Sequence, residues 1–162
     1  MKSFLKIINE DLLAELYQRA ESNHRLRQNY NIHEDLDDPC QRLLNAMAPD
    51  SYIRPHRHLL SPKSELFWAV AGRLALVIFS DTGAIEAAYI LEPAGPVRAI
   101  EVPAGLWHTV VSMEKGSIFL EVKAGPYVPV DASDFAQWAP EPESQEAAVY
   151  LERLVRALRD FK

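Results

Sequence analysis

A mainly β domain, a sandwich or barrel of antiparallel strands with a helix at each end, is the fold class this sequence predicts. Between Arg42 and Val122 it is built of short apolar or β-forming runs at near-regular spacing, punctuated by Pro, Gly, Asp and Ser. Stretches with helical apolar spacing stand before and after those runs. Two histidines, His56 and His58, are answered 50 residues later by His108, which gives the strands something to hold together.

Ser3 to Ile8 reads as a short strand or an irregular lead-in. Asn9 is a helix N-cap followed by acidic Glu10 and Asp11, and Leu12, Leu13, Leu16, Tyr17 and Ala20 recur on one face, so a helix is predicted from Glu10 to Ala20. Glu21 to Pro39 has neither period and reads as an ordered loop. Its Arg25, Arg27, Asn29, Tyr30 and His33 are either a solvated surface, which composition favours, or the mouth of a site, which the length of the loop favours.

Strands are predicted at Arg42–Met47, Tyr52–His58, Glu65–Val70, Leu74–Phe79, Ile85–Leu91, Arg98–Val102, Trp107–Met113 and Ser117–Val122. Ser80 to Gly83, Pro93 to Pro96 and Glu114 to Gly116 supply turns. A wandering segment through Phe135 and Trp138 follows. A second helix then carries Ala147, Tyr150, Leu151, Leu154, Val155, Leu158 and Phe161 on one face, able to pack on its own domain or on a partner's.

The chain has 162 residues, room for one domain with a sizeable core. No apolar run approaches a membrane span and no signal-peptide pattern opens the sequence, so a cytoplasmic protein without membrane contact is expected. The net charge of −6, with scattered basic residues, argues against nucleic acid as a partner. The single cysteine, Cys40, reads as a small buried or half-buried side chain.

On an extended strand His56 and His58 point to the same face, and two imidazoles so placed converge on one cation. Pro55 beside them removes a backbone donor and puts the pair near an opening. Glu65 begins the strand after the turn LLSPKS, and His108 follows the stiff turn Pro103-Ala104-Gly105. His56, His58, Glu65 and His108 are therefore the metal-ligand candidates, with Glu65 open to a second role as orienter or base. Imidazole with a carboxylate suits zinc, iron, nickel, manganese or cobalt as one divalent ion. Arg54 shares the face of the histidines if the strand is regular, where it would hold an anionic group or be solvated. Glu121 and Lys123 share a face of their strand and are either an acid or base pair or a surface ion pair.

The histidine pair with glutamate and Gly72, then P-x-G-x-x-H, resembles the two cupin motifs. The resemblance implies a cupin-type antiparallel β-barrel (jelly roll) occupying 1–162, with helix and loop to 40, barrel over 41–127, and an extension and helix over 128–162. Six residues separate His58 from Glu65, more than those motifs usually have. The segments RLRQNYNIHEDLDDPCQRLLNAMAPDSYIRPHRH, EVPAGLWHTVVS and EVKAGPYVPVDASDFAQWAPEP resemble the WbuC family of cupin-fold metalloproteins, associated with bacterial surface-polysaccharide (O-antigen) gene clusters. That resemblance makes Arg25, Asn29, Tyr30, His33, Arg42 and Asn45 candidates for a polar rim. With Arg54 and Glu121, the expected ligand contacts are Tyr30, Arg42 and Asn45. The expected ligand is a small polar molecule, such as a sugar or nucleotide sugar, handled by an isomerase, epimerase or dioxygenase, or else by a non-catalytic binding module. Exposed strand edges predict a homodimer.

Overall fold

The structure is a computed structural model that describes residues 5–159. Helix α1 (Glu10–Ser22) is capped as its sequence predicts, Leu12 N donating to Asn9 Oδ1 at 3.1 Å. The strands are β1 (Arg27–Asn31), β2 (Cys40–Met47), β3 (Glu65–Ala71), β4 (Leu74–Phe79), β5 (Ile85–Leu91), β6 (Ala99–Val102), β7 (Trp107–Ser112) and β8 (Ser117–Ala124). Helix α2 (Glu146–Leu158) ends the described chain, and Ser3, Phe4 and Phe161 lie outside the described residues.

All strand pairs are antiparallel, in one sheet ordered β1-β2-β8-β3-β6 and another ordered β5-β4-β7. Strands distant in sequence lie side by side, as β2 does with β8, which is the jelly-roll signature. Among the described residues no ladder joins the sheets, so the expected barrel is a sandwich.

Alternation within the strands explains the layers. Leu74 and Leu76 of β4 face inward with Met47, Phe67, Val110 and Phe119 to form the core between the sheets. Ala75, Val77 and Phe79 of the same strand face outward against Leu151, Leu154 and Leu158 of α2. Helix α1 covers the other sheet, setting Leu16 and Ala20 on Leu44, Ala46 and Ile118. The run LALVIF is apolar throughout because both of its faces are covered, and each fully buried leucine in it contributes about 1.5–3 kcal/mol. Helix α2 thus packs on its own chain. Gly72 turns β3 into β4 at φ 68°, and a Cβ there would lie 2.6 Å from the Ser117 backbone.

Three expectations are corrected. Strand β1 lies inside the stretch read as a loop; its sequence RQNYN carries no apolar alternation because it is an edge strand held to β2 by its backbone. Cys40 is exposed at the start of β2. Tyr52–His58 is not a regular strand. His56 alone bridges to His108 on one side and to Phe135 on the other, because Pro55 has no N–H with which to extend a ladder.

Candidate metal centre

The extended segment through His56 lies along the edge of β7. His56 N donates to His108 O at 3.0 Å and His108 N returns the bond to His56 O at 2.9 Å, so the backbones of two candidate ligands are locked together. On the far side Arg57 N donates to Asp134 O, and Ala136 N to Pro55 O. The segment is therefore held from both sides before any side chain acts.

The imidazoles converge. Ring centroids lie 4.7 Å apart for His56 and His108, 5.4 Å for His56 and His58, and 6.2 Å for His58 and His108. Glu65, at the start of β3, reaches between them. Its Oε1 lies 3.1 Å from His58 Nε2 and its Oε2 lies 3.0 Å from His108 Nε2. Potential ligand atoms of His56, His58 and Glu65 all fall within 4.8 Å of one another, a group that could hold a metal ion.

Three observations test that fit. His56 Nδ1 donates to Arg54 O at 3.1 Å and His108 Nδ1 donates to Leu106 O at 2.9 Å, which orients both rings and leaves Nε2 as the other nitrogen of each, that of His108 being engaged with Glu65 Oε2 at 3.0 Å. His58 Nε2 is buried and off the line a hydrogen bond to Glu65 needs, so it has no hydrogen-bond partner despite the short contact. Adjacent ligands held about 2.1 Å from a transition-metal ion stand about 3 Å apart, the separation the Glu65 oxygens keep from two imidazoles. His56, His58 and Glu65 form the group that could hold a metal ion, and His108 lies beside it, outside that group.

Electrostatics agree. Burial, then His108, lowers His56 to about 3, so its imidazole is neutral as a ligand must be. Burial alone would raise the Glu65 carboxyl, but the contacts with His108 and His58 and the charge of Lys123 outweigh it and hold the group ionised. Lys123 is opposed by burial and stabilised by Glu121 and Glu65, which keep its ammonium above the ordinary lysine range.

The centre opens on a chamber of about 120 Å³. Its apolar wall is Ile53, Phe67, Val110, Phe119 and Val130, and its polar wall adds Glu121 and Lys123 to the candidate ligands. Lys123 Nζ donates to Glu65 Oε1 at 3.0 Å and pairs with Glu121, whose Oε2 accepts from Asn45 Nδ2 at 2.9 Å. Asn45 and Glu121 therefore stand beside the centre.

Tyr30, Arg42 and Arg54 do not. Tyr30 packs against the α1 cluster on the outer face, and Arg42 pairs with Asp38 at 2.7 Å. Arg54 is turned away because the strand is irregular at Pro55; its Nε donates to Ala136 O at 3.0 Å and its guanidinium pairs with Glu141. Of the other rim candidates, His33 is buried against Arg42 O. The sequence reading overlooked Asp134 and Lys63. Asp134 is buried and its Oδ2 accepts from Leu59 N and Leu60 N, fixing the turn between His58 and Glu65. Lys63 is buried within that turn. Neither has a sequence signal, since a lone Asp and a lone Lys among turn residues look solvated.

Among the described residues no helix is long and apolar enough to cross a membrane. The fold is similar to a cupin-2 domain protein from Shewanella frigidimarina (TM-score 0.50, 15% identity, 74% of this chain and 95% of that one). It also resembles the DMSP lyase DddQ from Ruegeria pomeroyi (TM-score 0.51, 18% identity, 67% of this chain and 52% of that one). A conserved protein of unknown function from Streptococcus pyogenes is comparable (TM-score 0.51, 12% identity, 78% of this chain and 92% of that one). These likenesses establish a cupin fold. No curated protein matches the sequence. Residues 8–91, which run from the residue before the N-cap of α1 to the end of β5 and contain His56, His58 and Glu65, match the family described as Domain of unknown function (DUF6016), and the chain belongs to that family.

Proposed function

We propose that this is a metal-dependent enzyme of cupin fold, with His56, His58, His108 and Glu65 holding one divalent ion and the adjoining chamber receiving a small polar molecule. The observation that carries the reading is the orphaned, buried His58 Nε2 beside two imidazoles whose other nitrogens are already bound to backbone carbonyls. A bound divalent ion would supply Lewis acidity toward a carbonyl or hydroxyl oxygen. The chain's own groups do the rest. The apolar wall excludes water, and Glu121 sits in the chamber as a proton acceptor held by Lys123 and Asn45. That arrangement suits an isomerase or epimerase working at a carbon beside a carbonyl. The resemblance to WbuC-type proteins supports a sugar of surface-polysaccharide metabolism, with only the reacting end of a nucleotide sugar entering a chamber this small.

A second reading, a binding module, is favoured by one feature: Glu121 and Lys123 neutralise each other, which leaves the chamber wall without an unpaired base. The discriminating experiment is NMR of metal-loaded protein with sugars, sugar phosphates and nucleotide sugars, with and without oxygen. Conversion of one of them, abolished by Glu121→Gln, supports the enzyme. Saturable binding with no product under any metal supports the module.

A further inference from the structure

Two charged side chains point into the sandwich from β8. Phe119, Glu121 and Lys123 alternate along that strand and share its inner face; Phe119 belongs to the core between the sheets, and all three line the chamber. The Glu121 and Lys123 side chains are 12% and 16% exposed. The attraction between two charges seldom repays their withdrawal from water, so stability does not explain why the pair is kept inside. The register shows what it reaches: Lys123 is the direct cross-strand partner of Glu65 on β3, and Glu121 that of Leu43 on β2.

Lys123 touches a candidate ligand that has no anchor of its own. His56 and His108 take their orientation from the carbonyls of residues 54 and 106. Among the described residues the Glu65 carboxylate has no such backbone partner; besides His58 and His108 it meets Lys123, whose Nζ donates to Oε1 at 3.0 Å. The imidazoles turn to an ion when one binds, so the contact left to fix the long glutamate side chain is Lys123. The ammonium is itself held from the other side. It pairs with Glu121, whose Oε2 accepts from Asn45 Nδ2 at 2.9 Å, so a chain of polar contacts crosses the sheet from β2 through β8 to β3.

We propose that Lys123 is a positioning residue for the metal centre: it holds the Glu65 carboxylate among the imidazoles, and Glu121 and Asn45 hold Lys123 in turn. The inference rests on the metal-centre reading, and the test separates the two. Charge and position make opposite predictions, because an ammonium repels a cation and its removal would by charge alone tighten metal binding. Cobalt(II) is titrated into the protein in competition with a chromophoric chelator, and the visible bands of the bound ion are recorded. Lys123→Met should weaken cobalt binding about ten- to a hundredfold, the usual cost of losing a partner that orients a ligand, and should alter the bands, while excess cobalt still fills one site per chain. Lys123→Arg keeps a donor and should restore most of the affinity. Where Lys123→Met leaves too little folded protein, Lys123→Met combined with Glu121→Gln removes the pair without stranding a buried carboxylate on β8, and the same loss is expected. Parent-like affinity and bands in a folded variant without Lys123, or tighter cobalt binding by it, overturns the proposal while the metal centre stands. A parent protein with no bands of bound cobalt overturns the centre and the proposal together.

Discussion

Two buried polar clusters lie on either side of residue 55, and they differ in how their hydrogen-bonding capacity is spent. Around Arg54 the guanidinium finds Ala136 O and Glu141, and the neighbouring Tyr52 hydroxyl donates to Pro140 O at 3.0 Å. Those groups are used to tie the C-terminal extension to the sandwich. Around His56, three imidazoles and a carboxylate crowd together, and the nitrogens that face one another have no protein donor to satisfy them all. Buried polar groups that close on themselves are structural, whereas a set that converges with lone pairs to spare is built for something the chain does not contain.

The sharpest break of this contrast is His56→Ala combined with His108→Ala. The parent should hold one metal per chain by elemental analysis, and the double variant should hold none while its circular dichroism remains that of a β protein. Stoichiometric metal in the double variant would show that the convergence has another purpose.

Much of the fold was legible because periodicity records burial. The strand bounds of β4 and β5 are those the sequence predicts, since turn residues flank both strands. Strand β1 was not legible, because an edge strand of Arg, Gln, Asn and Tyr buries little side-chain surface and shows no alternation. In the site, the H-x-H spacing led to the right stretch for a partly mistaken reason. His56 and His58 come together across an irregular segment clamped between β7 and residues 134–136, so the same-face argument failed for Arg54, one step before the proline. Asp134 acts through long-range contacts that leave no local pattern.

Acid should separate the clusters next. Free His56 would titrate at 6.5, whereas burial holds it at about 3 in the folded chain. Between those values the unfolded chain binds a proton that the native chain refuses, so stability rises with pH across the window and is lost on acidification. Glu65, held below its ordinary value of 4.5, has the same sign: its contribution is present above that value and disappears as pH falls further. Metal-free protein should therefore lose up to about 1.4 kcal/mol per pH unit for the His56 proton. Urea denaturation at pH 7 and pH 5 measures the loss. His56→Leu should flatten it, and an equal slope in that variant would remove His56 as its source.

The smallest effect should come from the satisfied side. Arg54→Met keeps the length and apolar stem of the side chain but removes the donor to Ala136 O, leaving a buried acceptor unpaired at a cost of about 1–3 kcal/mol. Glu141 adds little, because it is largely exposed and rehydrates when its partner goes. The loss should read as a lower urea midpoint and faster proteolysis of the C-terminal extension. Metal binding should survive, because His56 Nδ1 is oriented by the backbone carbonyl of residue 54, which the substitution leaves in place. If Arg54→Met lost its metal as well as its stability, the two clusters would be one cooperative unit, and the division between a closed structural network and an open metal-binding one would have to be abandoned.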